Sequence, residues 1–152
     1  MKNALATLVF AAVPAVALAT PPNACEIISP DVINQLSERK VEKVQAQKTG
    51  NPSQCGFLDS RKAAVLVVSI REVQYAVKDE IFEEKSQLEK IYKSKAKDIE
   101  GVGEGAYWQP ANKQFGFRKG KMIVNVTFST PKNQNELDSS QVARVIEAKL
   151  PK

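Results

Sequence analysis

The sequence predicts an α+β fold, in which helices pack on a mainly antiparallel sheet of six strands to form an α/β/α sandwich. Two observations lead to this prediction. Short runs of strand-type sequence are joined by turns too brief for a crossover, so neighbouring strands are expected to pair antiparallel. The strands also fall into two groups of three, each followed by an amphipathic helical pattern, which gives a β-β-β-α unit twice. The chain has 152 residues, of which 43% are hydrophobic, as expected for one globular domain.

The first residues are predicted to lie outside this domain. Lys2 supplies a positive charge, an apolar run extends from Ala4 to Val13, and Ala17-Leu18-Ala19 has the small-x-small pattern of a cleavage site. We therefore expect a cleavable signal peptide over residues 1–19, a single domain over residues 20–152 and a periplasmic or secreted location. The apolar run is shorter than the ~20 residues that span a bilayer, so no transmembrane segment is expected in the mature chain.

Two cysteines, Cys25 and Cys55, remain after cleavage. An even number of cysteines in an exported protein predicts a disulfide, which would contribute roughly 3–4 kcal/mol by restricting the unfolded chain. Two buried free thiols are one alternative. Lipid attachment at Cys25 is another, and Pro22, three positions before it, disfavours this reading. A zinc site would lack its usual ligands, because the sequence has no histidine and only these two cysteines.

The first half of the domain predicts one helix and three strands. Ser29 is a suitable N-cap and Pro30 fits the first helical position, so a helix is expected from Pro30 to about Arg39. The three strands are predicted at Val41–Lys48, Ser53–Leu58 and Ala63–Ile70. The first of them is expected at an edge of the sheet. The third is apolar on both faces and is therefore expected in its middle.

The second half predicts a long helix, three strands and a final helix. The long helix begins between Gln74 and Asp79 and ends near Ser94, with an apolar face formed by Val77, Ile81, Leu88, Ile91 and Tyr92. The strands follow at Ala106–Gln109, Gln114–Arg118 and Lys121–Thr130, and the last helix spans about Ser140 to Lys149. The third strand alternates strictly between apolar and other residues over most of its length, as a half-buried strand does.

A glycine-rich segment joins the long helix to the three strands that follow it. Gly101, Gly103 and Gly105 predict a turn in which at least one residue has a positive φ. Tyr107 and Trp108 follow directly, and adjacent residues of a strand point to opposite faces. Trp108 is the only tryptophan and could be a recognition anchor at the sheet end. The alternative, which we favour, is that Trp108 belongs to the core.

Positive charge indicates a second possible binding feature. The chain has 22 basic and 17 acidic residues, a net charge of +5, which favours anionic partners, although solubility is the simpler explanation. Arg118, Lys119 and Lys121 flank one hairpin turn and could form a basic patch, or simply a solvated turn. We therefore treat these three residues, with Tyr107 and Trp108, as candidate binding residues.

The sequence offers little for catalysis. Without histidine, the commonest general base is missing. The acidic pair Glu83–Glu84 is predicted to lie on a solvated helix face, and the glycine spacing at 101–105 does not match a dinucleotide fingerprint. We expect no catalytic residue, no metal site and no cofactor, and hence a protein that is not an enzyme.

Several short motifs resemble the LpqN-type domains, small secreted lipoproteins of mycobacteria and their relatives that mostly lack an assigned function. The motifs are an early Cys25, the Ile27–Ile33 helix start, Cys55 with Phe57, the Gly101–Tyr107 segment and a hairpin ending in Gly120. The resemblance implies a PsbP-like α/β/α sandwich and a disulfide between the two cysteines. Two departures are the absence of a lipobox and the presence of Phe57 where tryptophan is frequent.

These observations together predict an exported, non-catalytic protein that binds another envelope component as an adaptor, accessory or chaperone-like factor. One alternative is an inhibitor or immunity protein directed at a secreted enzyme. Another is a binder of an anionic envelope polymer or lipid. We expect a monomer whose partner is an envelope protein or an anionic envelope component, and no specific binding of nucleic acid.

Overall fold

The computed structural model describes residues 20–74 and 79–151, and these form an α+β fold. The predicted signal peptide and Val77 lie outside the described residues. The helices are α1 (Pro30–Leu36), α2 (Glu80–Tyr92) and α3 (Glu136–Lys149), and a short 3₁₀ turn spans Pro131–Asn133. The strands are β1 (Lys43–Lys48), β2 (Ser53–Leu58), β3 (Ala64–Glu72), β4 (Lys97–Ile99), β5 (Gly105–Gln109), β6 (Gln114–Lys119) and β7 (Met122–Phe128).

The strands form one antiparallel sheet in the order β1-β2-β3-β7-β6-β5-β4. The prediction of six strands was wrong, because the sheet has seven. The additional strand, β4, has three residues, two of them exposed, so it lacks the alternation that identifies a strand in sequence.

Helices cover both faces of the sheet. The main core lies on the face that receives α1 and α3, where Ile33 and Ile146 are buried against aromatic side chains such as Phe117. The opposite face receives α2, whose Ile81 joins a smaller apolar cluster with Ile123 of β7. The first residues of β7 therefore pack against apolar side chains on both faces of the sheet. Met122, Ile123 and Val124 are all buried, and burial alternates only after them.

The predicted disulfide is confirmed. Cys25 and Cys55 are joined with an S–S distance of 2.02 Å and a Cα–Cα distance of 5.1 Å. The bond ties the segment that precedes α1 to β2, beside a hydrogen bond from the Ala24 N–H to the Ser53 Oγ (2.9 Å). The N-terminal segment is therefore held to the sheet by a covalent bond as well as by polar contacts.

Two helix boundaries differ from the predictions. α1 ends at Leu36, not Arg39, where the Asn133 Nδ2 donates to the Leu36 carbonyl (2.8 Å) and so satisfies a group at the helix end. α3 begins at Glu136, four residues before the predicted start. Asn135 is its N-cap, with a side chain that accepts from the Asp138 N–H at 2.9 Å, so the polar run before Ser140 is already helical.

Candidate functional site

The glycine-rich segment is a turn, as predicted. Gly101 and Gly103 have φ values of +71° and +58°, whereas Gly105 belongs to β5 and does not have a positive φ. At Gly103 a Cβ atom would lie 2.1 Å from the Arg118 carbonyl oxygen. The Glu104 N–H donates to that same oxygen (2.8 Å). Gly103 therefore permits a close approach of two backbone segments that any side chain would prevent.

The three residues of the predicted basic patch have different surroundings. The Arg118 side chain is only 3% exposed and forms an ion pair with the Glu104 carboxylate. The Lys119 Nζ donates to the Glu147 carbonyl (2.8 Å) near the end of α3, and Lys121 is exposed. Because Arg118 is buried and Lys119 is engaged at a helix end, these residues do not present a common cationic surface.

Tyr107 and Trp108 lie on opposite faces of β5, as predicted for adjacent strand residues. Trp108 is 7% exposed and belongs to the main core, on the side of α1 and α3. Tyr107 is 1% exposed and lies under α2. Both faces of the sheet are covered at this point, so neither ring is available as a surface anchor.

The Tyr107 hydroxyl is the centre of a buried polar cluster between α2 and the sheet. It donates to the Glu84 Oε1 (2.7 Å) and accepts from the Gln114 Nε2 (2.7 Å), which also donates to the Asn125 Oδ1 (2.9 Å). The ring passes close over Gly116, where a Cβ atom would lie 2.4 Å from the Tyr107 Cε1. Gly116 therefore makes room for the ring that carries the hydroxyl to α2.

An arginine extends this cluster toward the surface. The Arg71 guanidinium donates to the Glu80 Oε1 (2.9 Å) and to the Glu84 Oε2 (3.1 Å), which are one helical turn apart on α2. Burial by itself would lower the pKa of Arg71, but hydrogen bonds to the two carboxylates outweigh it and raise the pKa. For Tyr107, burial and the adjacent Glu84 carboxylate raise the pKa well above its usual value.

The cluster therefore has a structural role, which is to hold α2 against the sheet. Glu84 is held between the Tyr107 hydroxyl and the Arg71 guanidinium. Each of these groups is occupied by a neighbour, which fixes α2 on the sheet. Sequence reasoning missed Glu84 when it placed the Glu83–Glu84 pair on a solvated face: Glu83 is exposed, but Glu84 is partly buried. The spacing of Glu80 and Glu84, four residues apart, was the available signal.

The two edges of the sheet differ in how they are protected. β4 is three residues long and is bridged from both sides, since Lys85 of α2 contacts Asp98 (2.6 Å) and Lys97 contacts Glu136 of α3 (2.8 Å). β1 has six residues, all exposed. Short strands and covering groups prevent an edge from pairing with another chain. Among the described residues, β1 has a longer uncovered edge than β4, with one irregularity between Ala46 and Lys48.

A second exposed feature lies where α2 ends. Lys93 adopts a left-handed conformation (φ 50°) that terminates the helix. Around it, Ile91 is 69% and Tyr92 45% exposed. Lys90, Lys93 and Lys95 are exposed beside them and line a surface cavity of about 340 Å³. We call residues 90–95 the lysine surface.

Two features of the described residues, 20–74 and 79–151, concern metal ions and membranes. Within these ranges no three His, Cys, Asp or Glu side chains are grouped so that they could hold a metal ion. In the same part of the chain no helix combines the length and apolar character needed to cross a membrane.

Comparison with models of known protein families gives no match, and comparison with curated proteins gives no significant match. The resemblance to LpqN-type domains and the PsbP-like fold it implies therefore remain predictions drawn from the motifs quoted above.

Proposed function

We propose that this is an exported, non-catalytic protein that binds another component of the cell envelope, and that a protein partner adds a strand to β1. The observation that carries the proposal is the edge of β1, whose six residues are exposed at the end of the sheet and which no strand within residues 20–74 and 79–151 pairs with on its outer side. An edge strand of this kind has unpaired N–H and C=O groups, which an extended peptide can match by adding one more strand.

The direction of the hydrogen bonds identifies the free backbone groups. The Ser129 N–H donates to the Val65 carbonyl (3.0 Å), so Val65 faces β7. Hydrogen-bonding direction alternates along a strand, so Leu66 faces β2. In the register, Leu66 is opposite Phe57, and Phe57 is opposite Val44. Phe57 therefore bonds to β3, and the N–H and C=O of Val44 face away from the sheet.

Charge favours a different protein over a second copy of this chain. In an antiparallel pairing of β1 with itself about its centre, Lys43 would lie opposite Lys48, and like charges directly opposite each other are destabilising. Between these lysines the strand is uncharged, Val44-Gln45-Ala46-Gln47. The best complement is an extended segment with a short uncharged centre and acidic residues at its ends.

A pair of variants at Val44 tests this proposal. Val44→Pro removes the outward N–H without removing a bond to β2, and its ring obstructs an incoming strand. Val44→Ala truncates the side chain but keeps the N–H. Each protein is used to capture partners from an envelope extract, with quantitative mass spectrometry.

We expect a partner retained by the original chain and by Val44→Ala, and weakened about tenfold or more by Val44→Pro, because a backbone hydrogen bond and the fit of the strand are both lost. Equal capture by the proline variant, with its fold verified by circular dichroism, would remove β1 from the binding surface.

A further inference from the structure

We infer that the lysine surface docks on an anionic phospholipid bilayer. This inference goes beyond the proposed function, because it adds the membrane as a second envelope component, recognised by different residues. β1 and β4 are the opposite edges of the sheet, and α2 lies over β5 with Lys85 contacting β4. A chain bound to a bilayer through the end of α2 would therefore leave β1 free.

The lysine surface is held in a defined conformation. After α2 ends, the Ser94 carbonyl accepts from the Gln109 Nε2 (3.1 Å) and the Ala96 N–H donates to the Glu89 Oε1 (2.9 Å). These two bonds fix the chain on either side of Lys95. The exposed side chains therefore project from a fixed backbone, and ordering them on a surface costs less entropy than ordering a free loop.

Its charge is positive even after the neighbouring acid is counted. Lys90, Lys93 and Lys95 are exposed, and the acidic residue that lines the same cavity is Glu89. Three positive charges against one negative charge leave an excess of two. The Glu89 Oε2 lies 3.8 Å from the Lys95 Nζ, and this lysine is 93% exposed. An exposed pair at that distance leaves the ammonium group available to other anions.

Apolar groups beside the lysines favour a lipid over a soluble anion. Ile91 and Tyr92, in the last turn of α2, are 69% and 45% exposed. Ser86 and Ser94 line the cavity together with the lysines. Ammonium and hydroxyl groups suit a phosphodiester headgroup. An aliphatic residue and an amphipathic tyrosine suit the boundary between headgroups and acyl chains. A soluble polyanion would satisfy the lysines but leave the two apolar side chains in water.

The test is co-sedimentation with vesicles. The protein is recovered from a host that exports it, and its mass is measured. Its binding to phosphatidylglycerol–phosphatidylcholine vesicles is then compared with its binding to pure phosphatidylcholine vesicles. Three lysines near a membrane surface contribute about fivefold each. Replacing all three (K90Q/K93Q/K95Q) should therefore weaken binding to the anionic vesicles about a hundredfold.

A matched triple variant controls for net charge. Lys40, Lys62 and Lys149 are exposed lysines elsewhere on the chain, and K40Q/K62Q/K149Q changes the total charge by the same amount. It should retain vesicle binding to within a few-fold. Ile91→Ser should weaken binding about tenfold, since it removes an apolar side chain that enters the bilayer boundary.

Three results would overturn the inference. The first is an equal loss of vesicle binding in the two triple variants, and the second is equal binding to anionic and neutral vesicles. The third is an unchanged affinity of Ile91→Ser for the vesicles, together with complete displacement of the protein from them by a soluble polyphosphate. The last result would indicate a soluble polyanion as the ligand. Val44→Pro should bind vesicles normally, so failure of strand addition at β1 and failure of lipid docking are separately observable.

Discussion

Replacing Gly103 by alanine tests the close approach of two backbone segments on which the glycine turn depends. Gly103 and Gly120 have almost the same φ, +58° and +56°. Their surroundings differ, because a Cβ atom at Gly103 would lie 2.1 Å from the Arg118 carbonyl oxygen and one at Gly120 would have no heavy atom within 4 Å. The pair Gly103→Ala and Gly120→Ala therefore separates backbone strain from steric overlap.

The expected loss of stability follows from these contacts. A left-handed alanine costs roughly 1–2 kcal/mol, and the lower entropy of the unfolded alanine chain returns about 0.4–1 kcal/mol, so Gly120→Ala should lose about 1 kcal/mol. Gly103→Ala carries the same net backbone cost. In addition, overpacking against a rigid carbonyl costs about 1–3 kcal/mol. Part of the hydrogen bond that Glu104 donates to Arg118, worth about 1 kcal/mol, is also lost. Its total should be about 2–5 kcal/mol.

Urea unfolding measures both values, with the fluorescence of Trp108 as the probe. Trp108 is the only tryptophan and is buried in the main core, so its emission reports unfolding of the domain. We expect Gly103→Ala to be less stable than Gly120→Ala by about 1–4 kcal/mol. Equal free energies of unfolding for the two variants would refute the close approach described here.

Three further perturbations test the cluster under α2, the disulfide and an ionised carboxylate. Tyr107→Phe should lower the free energy of unfolding by about 1.5–3 kcal/mol, because Glu84 loses a buried donor. An unchanged urea midpoint would contradict the structural role of this cluster. Cys55→Ser should cost roughly 3–4 kcal/mol by releasing the unfolded chain, and stability unchanged by the mutation would contradict this. Burial opposes the ionisation of Asp59, but backbone hydrogen bonds and the Arg39 guanidinium outweigh it and lower its pKa below the usual value of an aspartate. The contribution of Asp59 to stability is therefore present above about pH 4 and is lost as the pH falls through the lowered pKa. Asp59→Asn should accordingly flatten the acid limb of the plot of stability against pH. An acid limb identical to that of the original chain would contradict this prediction.

Much of the fold is predictable from local sequence signals. The alternation of β7, the uninterrupted apolar run of β3 and the pair of cysteines each specify their outcome with few residues, and all three agree with the structure. β4 escaped prediction because its strand conformation depends on pairing with β5 and on ion pairs from two helices, none of which is local.

The surroundings of the candidate site residues were harder to predict. Burial of Arg118 depends on Glu104 reaching it across the glycine turn, a contact that its sequence neighbours do not indicate. The inward position of Glu84 depends on the rotational phase of α2 relative to Tyr107. The opposite faces of Tyr107 and Trp108 could be predicted, because they follow from strand geometry alone; that helices cover both faces at this point could not.

Hydrogen exchange of residues 43–48 tests the proposed function most directly. In the free chain the amides of β1 that face away from β2 should exchange rapidly, because nothing among the described residues covers that edge. In the complex with the captured partner, we predict slow exchange at Val44 and the other outward amides of β1, with no change at the opposite edge, residues 97–99. Rapid exchange of residues 43–48 in a saturated complex would contradict strand addition at β1.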